Sequence, residues 1–158
     1  MPDSDFSEID DGTPPPELKG RLLALDLGTK RVGVAVCDEL QLTTQPLPSL
    51  KRTNWKKLLR QISDLRQSFD AQGVVIGLPL NLDGTEGDAA RESRRIARNL
   101  ALSLAVPVHL QDERLTSRAA EESLRDAGVN GCELAARLDS EAAALILRDF
   151  ITRREDPR

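Results

Sequence analysis

The chain has 158 residues, of which 39% are hydrophobic and 30% charged, and a formal net charge of -4. That length carries one domain with a real core and is too short for two comfortable ones; no apolar run approaches the roughly 20 residues of a membrane-spanning helix, and no basic segment leads into an apolar stretch as in a secretory signal. A soluble cytoplasmic protein is expected, and with only Cys37, Cys132 and a single histidine, and no CxxC pair, neither a disulfide framework nor a zinc site is indicated.

Residues 1–18 hold Asp3, Asp5, Glu8, Asp10, Asp11 and Glu17 with no Lys or Arg, and Pro14, Pro15 and Pro16 stand near the end. This composition predicts a disordered acidic tail, a folded domain over 19–152 and a flexible terminus at 153–158. Without the six tail acids the chain has 20 acids and 22 bases, so the body is about +2. A nucleic-acid partner is compatible with that charge but not required by it.

Along the body, 21–27 reads as a buried strand, 31–37 as a second after the Gly28 turn, and 41–50, with Pro46 and Pro48, as a short edge strand. Short turns make these three an antiparallel meander. In "TNWKKLLRQISDLRQSF" Trp55, Leu58, Leu59, Ile62, Leu65 and Phe69 fall at helical spacing, with Thr53 as the N-cap. "GVVIGLPL" (73–80) is a buried strand, 85–104 an amphipathic helix, and "VPVHL" (106–110) a fifth strand. Helices at about 116–127 and 134–152 follow, separated by a loop at 128–131. The order βββαβαβαα predicts an α/β fold, a five-stranded mixed sheet flanked by helices.

Three carboxylates occupy comparable places. Asp26 ends a buried strand, where an ionised acid needs a partner, hydrogen bonds or a metal; capping of the Gly28–Thr29 turn is the alternative. After the fifth strand come Asp112 and Glu113, and alternation from His109 puts His109, Gln111 and Glu113 on one face with Asp112 on the other. In "LDSEAAALILRDFI" Asp139 heads the stripe Ala142, Ala143, Ile146 and Phe150, while Glu141 and Arg148 fall outside it. Asp139 alone also suits a helix N-cap. Converging carboxylates without His or Cys make a hard oxygen site for Mg²⁺ or Mn²⁺, and such sites serve phosphoryl transfer.

"LLALDLGTKRVGVAV", "VVIGLPLNLDGTEG", "HLQDERLTS" and "DSEAAALIL", in this order and spacing, resemble the YqgF (RuvX-like) family over about residues 21–151. The resemblance implies an RNase H-like fold, a bacterial cytoplasmic location and a nuclease that matures the 5′ end of pre-16S ribosomal RNA. It also implies a Holliday junction resolvase as the alternative, by analogy with RuvC. Carried over by position, Asp26, Glu113 and Asp139 are the catalytic, metal-binding acids. The acidic tail lies outside the shared pattern, and "GVNGCELAAR" is poorer in Lys and Arg than family members often are.

For nucleic acid, Thr29, Lys30 and Arg31 follow Asp26 directly and could meet a phosphate. Arg91, Arg94, Arg95 and Arg98 fall at i, i+3, i+4 and i+7, a phosphate track or an ordinary solvated face. Asn81 and the 84–87 segment could hold a phosphate at a helix start or simply form a turn, and Arg114 adjoins Glu113. Trp55 fits the core stripe of its helix, and His109 reads as a strand residue with a proton-transfer role left open. The expected partner is precursor ribosomal RNA or branched DNA, with pre-ribosomal particles in prospect, for a monomer or homodimer. An actin-like or sugar-kinase-like ATPase and a non-catalytic assembly protein are the competing classes.

Overall fold

The computed structural model describes the backbone of residues 6–7, 18–113 and 131–155 and the side chains of 18–113 and 140–153. Its strands are β1 (Phe6–Ser7), β2 (Leu22–Leu27), β3 (Arg31–Cys37), β4 (Thr44–Lys51), β5 (Gly73–Leu78) and β6 (Val108–Asp112). Its helices are α1 (Trp55–Ser68), α2 (Asp88–Leu104) and α3 (Gly131–Glu155). The helix expected at about 116–127 lies outside the described residues.

Strands β2 to β6 form the expected five-stranded mixed sheet, and the two-residue β1 adds a sixth strand at its edge, giving the order β1-β6-β5-β2-β3-β4. β2, β3 and β4 are the antiparallel meander, whereas β5 and β6 run parallel to β2. The β2–β3 hairpin closes through Gly28 N–H, which donates to Arg31 O at 2.9 Å. A Cβ on Gly28 would stand 2.8 Å from that same oxygen, so the turn excludes any side chain. β4 is the far edge, and its exposed Pro46 and Pro48 are tolerated there because an edge strand has one side unpaired.

Alternation sorts the strands between two cores. Leu23, Leu25, Val74, Ile76, Val108 and Leu110 pack with Leu58 and Ile62 of α1 and Ile96 and Leu100 of α2. On the opposite face Leu22, Ala24, Ala35 and Val75 pack against Ala143, Ala144, Ile146, Leu147 and Phe150 of α3. This is a three-layer arrangement with α3 alone on one face among the described helices. Ala142, Ala143 and Ala144 are all buried, and their small side chains let α3 lie close to the sheet. The buried stripe is wider than the four predicted positions because Ala144, Leu147 and Ile151 join it.

Several local expectations shift. The N-cap of α1 is Asn54 rather than Thr53: its backbone is extended and its Oδ1 accepts from Lys57 N at 2.8 Å, the spacing a cap requires. Trp55, the first residue of α1, is 36% exposed rather than part of the core, since the stripe is buried only from Leu58 onward. α2 begins at Asp88 rather than 85, because Asn81–Thr85 is a self-bonded loop: Asn81 N donates to Thr85 O at 2.8 Å and Asn81 Nδ2 to Thr85 Oγ1 at 2.9 Å. β6 runs two residues later than expected, to Asp112, because its ladder with β5 starts at Val74–Val108. No helix among the described residues is long and apolar enough to cross a membrane.

Candidate functional site

Asp26 is the fifth residue of β2, and the alternation that sends Leu23 and Leu25 toward α1 and α2 turns Asp26 to the α3 face. In the β2–β5 ladder Leu25 partners Ile76, so the next residue of β5 beside Asp26 is Gly77. Gly77 in turn partners Gln111 of β6, and Glu113 lies two residues further on that same face. The middle strand therefore presents no side chain between the two acids. A Cβ on Gly77 would stand 2.0 Å from Glu113 Oε2 and 2.6 Å from Ile146 Cδ1. The Glu113 carboxyl thus lies on the bare backbone of Gly77 under Ile146 of α3, and it reaches Asp26.

Burial foremost, then the Asp26 charge, a hydrogen bond with Asp26 and the Asp112 charge, push the Glu113 carboxyl up to about 9. At neutral pH Glu113 therefore keeps its proton and donates it to the Asp26 carboxylate, two acids holding one negative charge. A divalent cation placed between them would take the place of that proton. The donors are oxygen only, as a hard cation prefers, so the residues fit such an ion. Asp112 ends β6 on the opposite face, as alternation predicts.

Asp139 belongs to α3, and its side chain lies outside the described residues. Its neighbour Ser140 fixes where this part of the helix sits. Ser140 Oγ accepts from Val34 N at 3.4 Å and donates to Leu47 O at 2.5 Å. The β3–β4 register shifts between Val32 and Val34, and the Ser140 hydroxyl bridges the two strands at that irregularity. Val34 adjoins Gly33, which is the partner of Asp26. The backbone at Asp139 is thus anchored one residue from a contact at the level of Asp26. Among the described residues no three His, Cys, Asp or Glu side chains gather as a metal cluster.

Around this pair, Thr29 and Lys30 are exposed on the hairpin turn and Arg31 opens β3 half-buried. The turn is braced by Arg52, whose Nη1 donates to Gly28 O at 2.8 Å and to Glu92 Oε1 at 3.1 Å. The predicted arginine track divides. Arg94, largely buried, is bound to Glu86, and its bidentate hydrogen bond holds the Glu86 carboxyl below its ordinary range. Arg91 pairs with Asp88, Arg95 lies 3.7 Å from Glu92, and both remain mostly exposed, as does Arg98. Asn81 is spent on its own loop. His109 is buried with its ring centroid 5.6 Å from that of Phe150, a packing position on the face that bears Glu113. Arg114 lies outside the described residues.

Gly77, Ser140 and Arg52 are contributors that sequence reading passes over. In "GVVIGL" the glycine looks like one more small residue of a buried strand. Its only signal is that a two-sided strand carries a glycine one register step from an acid on the next strand.

The family model described as "RuvX: Holliday junction resolvase" matches residues 20–153. A protein of Syntrophus aciditrophicus, provisionally named a pre-16S rRNA nuclease, is 44% identical over 131 residues, covering 83% of this chain and 87% of its own. One of Anaeromyxobacter sp. (strain K) with the same name is 42% identical over 134 residues, covering 85% and 98%. Among solved structures, T. thermophilus RuvC in complex with a Holliday junction substrate superposes with a TM-score of 0.54 at 15% identity, covering 87% of this chain and 97% of that one. The yeast mitochondrial Holliday junction resolvase Ydc2 gives 0.53 at 15% identity, covering 89% and 81%. At that identity the likeness establishes the shared RNase H-like fold.

Proposed function

The chain belongs to the RuvX family, and from that premise we propose that it is a divalent-metal-dependent nuclease that processes the 5′ end of pre-16S ribosomal RNA in the cytoplasm. The observation that carries the reading is the meeting of Asp26 and Glu113 across Gly77. Two acids brought so close at a strand end are costly to the fold, and a cation held between them would offset that cost.

Asp26, Glu113 and Asp139 would hold Mg²⁺ or Mn²⁺. Held there, such a cation would supply Lewis-acid activation of a water and charge stabilisation for phosphodiester hydrolysis. The chain's own residues do the positioning. Gly77 gives Glu113 its seat, Ile146 shields that carboxyl from bulk water, and Ser140 anchors the helix that bears Asp139. Thr29, Lys30 and Arg31 lie directly beyond Asp26, where they orient the phosphate, with Arg91, Arg95 and Arg98 as outlying cations along α2.

Cleavage of a pre-16S 5′-leader RNA and of a four-way DNA junction, by wild type and Asp26→Asn, each with Mn²⁺, Mg²⁺ or EDTA, tests the reading. RNA cleavage that disappears with EDTA and with the substitution, while binding persists, is the expected result. The second reading, junction resolution, is favoured by the family description and would require junction cleavage by a dimer, since symmetric cutting needs two centres. Binding of either substrate with no cleavage under any metal would make the chain an assembly factor instead.

A further inference from the structure

On the opposite side of the Gly28–Thr29 turn from the acids, an open cavity of about 300 Å³ lies between the start of α1 and the middle of α2. Its floor is aliphatic, formed by the buried Leu58 and Ile96. One wall is Trp55, 36% exposed although it is the largest side chain of α1. The rim carries Arg52, Arg95 and Glu92, and Thr29 of the hairpin turn completes the lining. Arg52 and Arg95, at 3.1 and 3.7 Å, balance the Glu92 charge, so this carboxylate can accept from an amino group without repelling an approaching phosphate. Arg95, 64% exposed at its side chain, stands where it can meet such a phosphate.

A flat indole above an aliphatic floor, with guanidinium groups at the rim, matches a planar heterocycle attached to an anionic backbone. The acids lie on the α3 face of the sheet and the cavity on the α1–α2 face, both at the hairpin end of β2, so a bound strand would cross that end of the sheet. Thr29 is three positions along the chain from Asp26, which puts their backbones at most about 10 Å apart. A nucleic-acid strand, rising about 3.4 Å per nucleotide, covers that distance within a few nucleotides. A paired base is held in its stack and cannot turn into such a cavity, whereas an unpaired one can.

We propose that the Trp55 cavity receives an unpaired nucleobase of the strand whose phosphodiester lies at Asp26 and Glu113, so that the enzyme selects single-stranded segments for cleavage. This rests on the nuclease reading above and adds its substrate class. Trp55 is here a specificity residue that touches the substrate, distinct from the acids that would hold the metal.

Trp55 is the only tryptophan, so its fluorescence reports on this cavity alone. The full chain in EDTA is titrated with a short single-stranded RNA, the same sequence as a blunt duplex, and adenosine monophosphate, with binding followed in parallel by anisotropy of end-labelled RNA. The single strand quenches the indole emission as binding saturates, the duplex binds without quenching, and the mononucleotide quenches only at far higher concentration. Trp55→Ala weakens single-strand binding roughly 5- to 150-fold and leaves duplex binding within about twofold, while Trp55→Phe, which keeps a stacking face, retains most of the affinity. The proposal is overturned if the single strand does not bind, if it saturates without quenching, if the duplex quenches equally, or if the mononucleotide quenches at the same concentration, which would mark a free-nucleotide site. Quenching by RNA that is never cut with Mn²⁺ would remove the nuclease reading and leave the cavity assignment standing; cutting without quenching would do the reverse.

Discussion

Glu113 donates a hydrogen bond to Asp26 across the bare backbone of Gly77, so an acid of β2 and one just past the end of β6 share one proton. The folded state keeps that proton up to about 9, whereas an unfolded Glu113 releases it near 4.5. Between those values the folded chain binds more protons, and stability therefore falls as pH rises. Metal-free wild type is expected to be most stable below about pH 4.5 as far as this group is concerned, and to lose that contribution steadily up to about pH 9. Glu113→Gln flattens the dependence and raises the melting temperature of the metal-free protein at pH 8. Thermal melts in EDTA from pH 5 to 9 check this; parallel profiles for the two proteins would refute it.

Gly77→Ala separates the site from the fold. The new methyl would stand 2.0 Å from Glu113 Oε2 and 2.6 Å from Ile146 Cδ1, and both are ends of side chains that can swing away. A stability loss of about 1–3 kcal/mol is expected from overpacking. Cleavage should fall about 100-fold or more, since a displacement of about 1 Å in a catalytic group costs that much. Circular dichroism melts beside single-turnover cleavage measure both; a variant with unimpaired cleavage would contradict the seat assigned to Gly77.

Removing the Ser140 hydroxyl leaves Val34 N–H and Leu47 C=O without their shared partner. Ser140→Ala is expected to cost about 1–3 kcal/mol, the penalty of buried backbone groups left unsatisfied. Because the residue adjoins Asp139, the variant also needs more Mn²⁺ for half-maximal cleavage. Urea denaturation and a metal titration of activity test the two halves independently.

The α2 arginines divide by salt dependence. Arg95→Ala should lower the slope of log K against log salt by about 0.7–0.9 for RNA binding, one phosphate contact. Arg94→Ala leaves that slope unchanged, because Arg94 is committed to Glu86, and costs up to about 1 kcal/mol of stability instead. Filter binding across a salt series distinguishes them; equal slopes for both variants would return Arg94 to the track.

Much of this arrangement is legible in the sequence because it depends on local periodicity. Alternation from His109 is sufficient to send Glu113 toward α3 and Asp112 away, and the apolar run before Asp26 is sufficient to place that acid at a strand end. What a linear reading misses is set by register between distant segments. Gly77 matters only because β5 lies between β2 and β6 with Gly77 beside Asp26, and Ser140 only because a shift between β3 and β4 puts two backbone groups within its reach. Trp55 fails for a different reason: helical spacing places it on the apolar stripe, but the first residue of α1 lies at the margin of the sheet, where the core has ended. Arg94 and Arg95 are neighbours in the chain, and only the fold of the loop bearing Glu86 separates a structural ion pair from an exposed cation.

The prolines of β4 bear on how the molecule behaves in crowded solution. A parallel or antiparallel strand approaching the outer side of β4 would need a continuous row of backbone donors, and Pro46 and Pro48 interrupt that row within three residues. At the opposite end, part of β6 is already occupied by Phe6 and Ser7. Sheet growth from one molecule to the next is thus obstructed on one side and partly capped on the other, which disfavours the edge-to-edge stacking that seeds fibrils.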